Sequence, residues 1–241
     1  MTRWNAMSKN VVYLDFRAAL SAFDKFFYHG ELRTKLNTEK NKKDFVRTRA
    51  PHLKRALDKG MKSLEYRKSE RLHGGVNRVL VEEELAAVGA ILGRKYSEIK
   101  IIRHSLFNCD AFSCFMTTEG LRYTEAFAGS GEFAVVRIVT SVLEAPEKSL
   151  VLLDEPEVSL HPGAQDRLLD FLTTIVKKHK HQVVISTHSP AIVRKLPPEA
   201  IKVLAMDSLS GKVQLPRQSS LADEAFFHLG EPIPGKIFVV V

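Results

Sequence analysis

An α/β fold is expected for this chain, and three observations carry the expectation. Residues 150–153 (Leu-Val-Leu-Leu) and 182–186 (Gln-Val-Val-Ile-Ser) are apolar runs of strand length, and 163–179 between them has helical composition. A strand–helix–strand unit of that length closes as a right-handed crossover with parallel strands, so both strand ends face one crevice. The third observation is a helical run rich in Val, Ile and Ala, 133–143, just before the first of these strands. With 241 residues, 44% of them hydrophobic, the chain can build one large or two small domains.

In chain order, residues 9–16 read as a strand and 17–28 as a short amphipathic or partly buried helix. A polar loop at 34–43 precedes a helical stretch, 45–72, that Pro51 and Gly60 are expected to break into pieces. Asn77 is placed to cap a helix over 78–92, whose apolar face includes Val79, Leu80, Leu85, Val88, Ile91 and Leu92, with Gly93 as its stop. Residues 99–107 form a strand candidate, and 111–117 with 121–125 alternate as a hairpin turning at Glu119-Gly120. After Pro197-Pro198 come strands at 201–206 and 212–215, a short helix over 221–229 and a last apolar strand at 236–241.

No run reaches the ~18 apolar residues a spanning helix needs, and the first residues lack the apolar segment of a secretory signal. A cytoplasmic protein is therefore expected. Cys109 and Cys114 have no second pair and no histidine couple at metal spacing, so they read as small apolar residues. The net charge of +8 is unevenly distributed. Residues 31–78 hold fifteen Lys or Arg against six Asp or Glu, which accounts for the whole excess. A solvated helical arm and a nucleic-acid surface both explain such clustering. No aromatic interleaving accompanies it.

Chemistry begins at 128–132, Ala-Gly-Ser-Gly-Glu, a small-residue turn opening the 133–143 helix. Free N–H groups and the helix dipole make such a turn an anion-binding device, a weak signal by itself. One helix later the apolar run 150–153 delivers two adjacent carboxylates, Asp154 and Glu155, where Pro156 stops the strand. Ser159-Leu160-His161-Pro162 follows, and the second strand ends in Thr187-His188-Ser189-Pro190. Acids and a histidine at neighbouring carboxyl ends are how a parallel sheet presents groups to a ligand.

This block resembles the signature, Walker B, D-loop and switch-histidine region of the ABC-type ATPases. More narrowly it resembles the OLD-family and related AAA-type ATPases of prokaryotic defence systems, with Rad50 and SMC heads as more distant relatives. The resemblance covers about 127–206 well and the remainder loosely. It implies a P-loop NTPase sheet with flanking helices and a helical basic insertion. Residues 1–30 would belong to the ATPase lobe, 31–95 to the insertion, 96–235 to the lobe again, and 236–241 to the start of a following domain. It further implies that Asp154 holds Mg²⁺ largely through water, that Glu155 polarises the attacking water, and that His188 bonds the γ-phosphate. Gly129, Ser130, Gly131 and Glu132 would form the signature turn, with Ser130 and Gly131 reaching ATP held by a second subunit, and Ser159 would sit in the D-loop. A homodimer enclosing two MgATP, a nucleic acid on 31–78, and a nuclease or other effector are the partners implied. In OLD-like proteins a strand such as 236–241 followed by an acid opens a Toprim nuclease, and the acid is not in this sequence.

An ATPase of this kind requires a phosphate loop, G-x-x-x-x-G-K-[ST], ahead of Asp154, and the sequence has none there. Residues 230–237, Gly-Glu-Pro-Ile-Pro-Gly-Lys-Ile, match only in part. Ile237 cannot coordinate magnesium, Pro232 and Pro234 remove two N–H donors, and a strand rather than a helix follows. Two readings stay open: the loop lies in a segment upstream of this sequence, or the chain is a degenerate member that scaffolds without hydrolysing ATP.

Overall fold

The apolar runs pair as strands and the 3.6-period stretches coil as helices. The computed structural model describes residues 8–16, 20–34, 38–207, 210–225 and the backbone of 237–240. In order the elements are β1 (Val11–Asp15), α1 (Ala22–Asp24) running into a π-helical turn (Lys25–His29), α2 (Lys42–Asp58), β2 (Leu72–Val79), α3 (Glu82–Leu92) and β3 (Glu98–His104). Then come β4 (Ala111–Thr118), β5 (Leu121–Thr124), α4 (Ser130–Leu143), β6 (Leu150–Asp154), α5 (Pro162–His179), β7 (Gln182–Thr187) and α6 (Pro190–Arg194). A 3-10 turn (Pro198–Ala200), β8 (Ile201–Val203), β9 (Ala205–Met206), β10 (Val213–Gln214) and β11 (Ile237–Val240) complete the chain. Residues 1–19 with 137–241 form one compact unit and 20–136 form a second.

The first unit is built on a five-stranded sheet of order β1-β6-β7-β11-β8. β1, β6 and β7 run parallel, in a register that sets Asp15 beside Asp154 and Asp154 beside Ser186. β11 is antiparallel to both β7 and β8, so those two strands point the same way with a reversed strand between them. Alternate residues of β6 and β7, namely Val151, Leu153, Val183 and Ile185, are buried, and α5 buries Leu168, Leu169, Leu172 and Ile175 at helical spacing. Each fully buried aliphatic side chain of this kind contributes roughly 1.5–3 kcal/mol. α5 starts at His161, whose Nδ1 accepts the Gly163 N–H at 3.2 Å, with Pro162 in the first turn. It ends at Lys180 in a left-handed conformation, with Lys177 and Lys178 placing positive charge in its last turn, where it complements the helix dipole.

The second unit carries the antiparallel sheet β2-β3-β4-β5. The β4–β5 turn at Glu119 and Gly120 has φ of 41° and 81°, both left-handed as a two-residue hairpin loop demands. Phe26 and Phe45 stack with centroids 4.5 Å apart, and with Leu53, Ala56, Ile102 and Phe107 they belong to one buried cluster.

Two expectations for this unit are corrected. α2 runs unbroken through Pro51, because that residue faces solvent while Phe45, Arg49, Leu53, Ala56 and Leu57 keep one continuous buried face. The helix ends just before Gly60, whose φ is +57°, and the expected helical continuation to residue 72 is not formed: a Glu65–Glu70 bridge and the start of β2 at Leu72 take its place. Asn77 does not cap a helix. It lies on β2, buried, and its side-chain amide donates to the carbonyls of Ala56 and Met61, both at 2.8 Å. α3 starts later, where Val81 N–H is accepted by Glu84 at 2.9 Å. Residues 17–19 of the expected first helix, 226–229 of the expected last one, and 230–236 of the partial phosphate-loop match lie outside the described residues. No described helix is long and apolar enough to cross a membrane.

Candidate functional site at the carboxyl edge of the parallel strands

Because β1, β6 and β7 are parallel and in step, their carboxyl ends bring Asp15, Asp154 and Ser186 to one edge. The Ser186 hydroxyl donates to Asp154 Oδ1, a bond that fixes the carboxylate's orientation at the strand end. The next residue, Glu155, is forced out of the sheet: its N–H bonds Ser186 O at 2.9 Å and its φ is +52°. Left-handed backbone costs a non-glycine residue about 1–2 kcal/mol and persists where its surroundings over-determine it. Here Pro156 follows and Val158 N–H closes the turn on Glu155 O at 3.1 Å. The turn aims Glu155, 16% exposed along its side chain, at the end of β7, where His188 Nε2 stands 3.5 Å from Glu155 Oε1. Ser159 is the second strained residue of the loop, exposed with φ of +69°.

Two residues of this edge escaped the sequence reading. Glu157 Oε1 accepts both the Thr187 hydroxyl, at 2.6 Å, and the His188 N–H, at 2.8 Å. That carboxylate therefore clamps the backbone from which the His188 ring projects. Its other oxygen, Oε2, is buried with no hydrogen-bond partner among the described residues. The only trace in the sequence is a third acid in Asp-Glu-Pro-Glu, which reads as a solvated turn. Asp15 does have a signal, since Val-Val-Tyr-Leu-Asp (11–15) repeats the pattern of Leu-Val-Leu-Leu-Asp (150–154).

Of the residues expected around nucleotide, Asp154, Glu155, Ser159 and His188 belong to the first unit, while Gly129 to Glu132 open α4 in the second. Gly129 and Ser130 are exposed and Gly131 is buried. Glu132 folds back on its own turn: Oε2 accepts the Gly129 N–H at 3.2 Å, as a helix-capping carboxylate does. Its Oε1 accepts Tyr96 Oη at 2.6 Å, Arg94 Nη1 at 2.7 Å and Tyr123 Oη at 3.0 Å. Burial and the neighbouring Glu132 charge raise the pKa of Tyr96, so it remains a donor to that carboxylate. Glu132 thus ties the exposed Gly129-Ser130 turn to α3 and β5 within its own unit.

Magnesium needs hard oxygen donors, one or two carboxylates with water and phosphate completing the shell. Asp154 and Glu155 supply donors of that type at the strand edge, and the unpartnered Glu157 Oε2 lies in the same loop. Among the described residues no three His, Cys, Asp or Glu form a complete metal cage, so an ion here would depend on ligands beyond the side chains. The donor set fits Mg²⁺ held that way. No segment of the sequence supplies the glycine-rich N–H cradle for a triphosphate.

Residues 11–194 match the family model AAA_21, described as "AAA domain, putative AbiEii toxin, Type IV TA system". Protein ea59 of Escherichia phage lambda is 38% identical over 69 residues, which is 28% of this chain and 13% of that protein. The chain thus spans only a small part of that relative. Two solved structures are similar at lower identity. One comes from work on ATP-driven dimerization and DNA stimulated activation of SMC ATPases, with 15% identity over 78% of this chain and 95% of that one and a TM-score of 0.42. The other is an Smc head domain with an extended coiled coil, bound to the C-terminal domain of ScpA, from Pyrococcus furiosus. It shows 16% identity over 61% of this chain and 35% of that one, with a TM-score of 0.38.

Proposed function

The chain belongs to the AAA_21 family of AAA domains, and from that premise we propose that its parallel-strand edge is the hydrolytic half of an ATPase site. The observation that carries this reading is the meeting of Glu155 and His188 from neighbouring strand ends, 3.5 Å apart, beside Asp154. Asp154 holds Mg²⁺, which supplies charge compensation to the phosphates. Glu155 takes a proton from, and aims, the attacking water. His188 donates to the terminal phosphate and holds Glu155 in line. Glu157 is a positioning residue that fixes His188 through its backbone, and Asp15 adds a carboxylate to the metal's surroundings.

In this reading the phosphates rest on a loop that this sequence does not carry. The exposed Gly129-Ser130 turn, together with Gly131 and Glu132, serves the nucleotide of a second copy in a head-to-tail homodimer, and Ser159 lies at that junction. Residues 31–95 act as a basic insertion in the ATPase lobe, with nucleic acid on 31–78. Hydrolysis drives a DNA-linked or defence effector, such as a nuclease, in the cytoplasm. A second reading, a non-hydrolysing scaffold of the same fold, is favoured by one observation, the missing G-x-x-x-x-G-K-[ST].

The test is Glu155→Gln in the full-length protein. MgATP binding is expected to survive, with dimers accumulating, while turnover falls by ~100-fold or more, the scale of losing a general base. Undiminished turnover removes Glu155 from its role. Failure of both wild type and variant to bind MgATP in a calorimetric titration selects the scaffold.

A further inference from the structure

Four arginines of the second unit line one cavity of about 450 Å³: Arg33, Arg49, Arg67 and Arg71, with Leu106 and Asn108 among its other walls. Their arrangement is built rather than incidental. Arg49 is 3% exposed, its guanidinium lies 3.3 Å from the Phe45 ring centroid, and its Nη1 donates to Glu39 Oε1 at 2.5 Å and Phe45 O at 3.0 Å. Arg67 Nη2 approaches the same Glu39 oxygen at 3.8 Å. Arg49 and Arg67 lie 5.5 and 5.3 Å from the Tyr66 ring centroid. Arg71 Nε donates to Tyr66 O at 3.3 Å, and Asn108 Nδ2 donates to Arg33 O at 3.0 Å, fixing the rim. Glu39 is also 3% exposed, and its bonds to Arg49 and Thr34 hold its carboxyl below the usual range against the opposing effect of burial.

Glu39 offsets Arg49, and Glu31 offsets Arg33 at 2.7 Å. Four cations against two carboxylates leave a surplus of two positive charges. We propose that this cavity binds a phosphomonoester, specifically the terminal phosphate of a nucleic-acid strand. A terminal phosphate carries close to two negative charges and three acceptor oxygens, which planar guanidinium forks match. An internal phosphodiester carries one charge, whereas the surplus of two positive charges on this concavity, with buried Arg49 and Leu106 among its walls, matches the doubly charged terminal group. The nucleic-acid source rests on the basic-segment reading above. The phosphomonoester chemistry rests on the cavity alone.

The experiment compares a short single-stranded DNA bearing a 5′-phosphate with the same strand ending in a 5′-hydroxyl, by fluorescence anisotropy, with AMP as competitor. The variant is R67N/R71Q: Asn tolerates the φ of +55° at position 67, where Ala is strained, and the buried Arg49 is left alone. The phosphorylated strand is expected to bind ~10-fold or more tightly, the scale of one or two charged hydrogen bonds, with the preference lost in the variant at unchanged thermal midpoint. Equal affinity for the two strands, or a preference that survives the variant, overturns the proposal. Were AMP to bind in an Arg67- and Arg71-dependent manner while neither strand binds, the cavity would stand as a phosphomonoester site, and the nucleic-acid source with the basic-segment reading would fall.

Discussion

At the residue scale, the second unit holds a buried titrating chain that the ATPase reading does not use. His104 Nδ1 accepts the Leu106 N–H at 3.1 Å, so Nε2 carries the proton and donates to Ser113 Oγ at 2.9 Å. The Ser113 hydroxyl donates in turn to Glu125 Oε1 at 2.6 Å, while Glu125 Oε2 accepts Cys114 N–H at 3.0 Å. Burial pushes the Glu125 carboxyl up to about 7 and the His104 imidazole down to about 4. The two act in opposite senses. An acid with a raised folded pKa contributes stability below its unfolded value of 4.5 that is lost as pH rises towards 7. A histidine with a lowered one contributes stability above 6.5 that is lost as pH falls towards 4. Between about pH 4.5 and 6.5 the two slopes offset each other, so thermal unfolding of Glu125→Gln is expected to show a rise of stability with pH there, driven by His104, that wild type lacks, the slope set by one proton. An unaltered pH profile would mean that Glu125 is ionised throughout. None of this network was legible in the sequence, because its partners come from three separate strand regions and Ser113 is an ordinary residue in an alternating run. Asp154, Glu155 and His188 stood out because each ends an apolar run. Glu157 did not, because its partners lie thirty residues away.

Among the elements, helix α2 shows where local rules give way to packing. A proline within a helix removes an N–H and crowds the preceding turn, at a cost of ~3 kcal/mol, and sequence rules therefore broke this helix at Pro51. The buried face from Phe45 to Leu57 outweighs that cost. Replacing Pro51 with Ala is accordingly expected to stabilise the protein by about 1–3 kcal/mol, read as a rise in the urea midpoint at constant slope. A fall would mean that the proline ring packs usefully. The strand pair β6–β7 was legible in full, since two apolar runs joined by one helix permit one handedness and one relative direction. β2 was not, because its Gly74-Gly75 pair, at φ of +61° and +65°, is poor strand composition that nonetheless falls inside the strand, and Asn77 beside it carries the signature of a helix cap.

For the whole molecule, the charge is a property of one segment. Outside 31–78 acids and bases nearly cancel, so the sequence pI of about 9.4 reflects that stretch. Binding to single-stranded DNA is expected to weaken by ~10-fold or more between 50 and 200 mM salt, the behaviour of a few neutralised phosphates. Affinity indifferent to salt would place recognition away from these cations. The direction of β11 has a further consequence for how the chain can be extended. Ile237 pairs with Thr187 and Val240 with Val184, so the strand enters the sheet beside the acids and leaves it at the opposite rim. A reporter or domain joined beyond this strand would be tethered on the far side from Asp154 and His188. A strand threaded through the same gap in the other direction would surface directly over them.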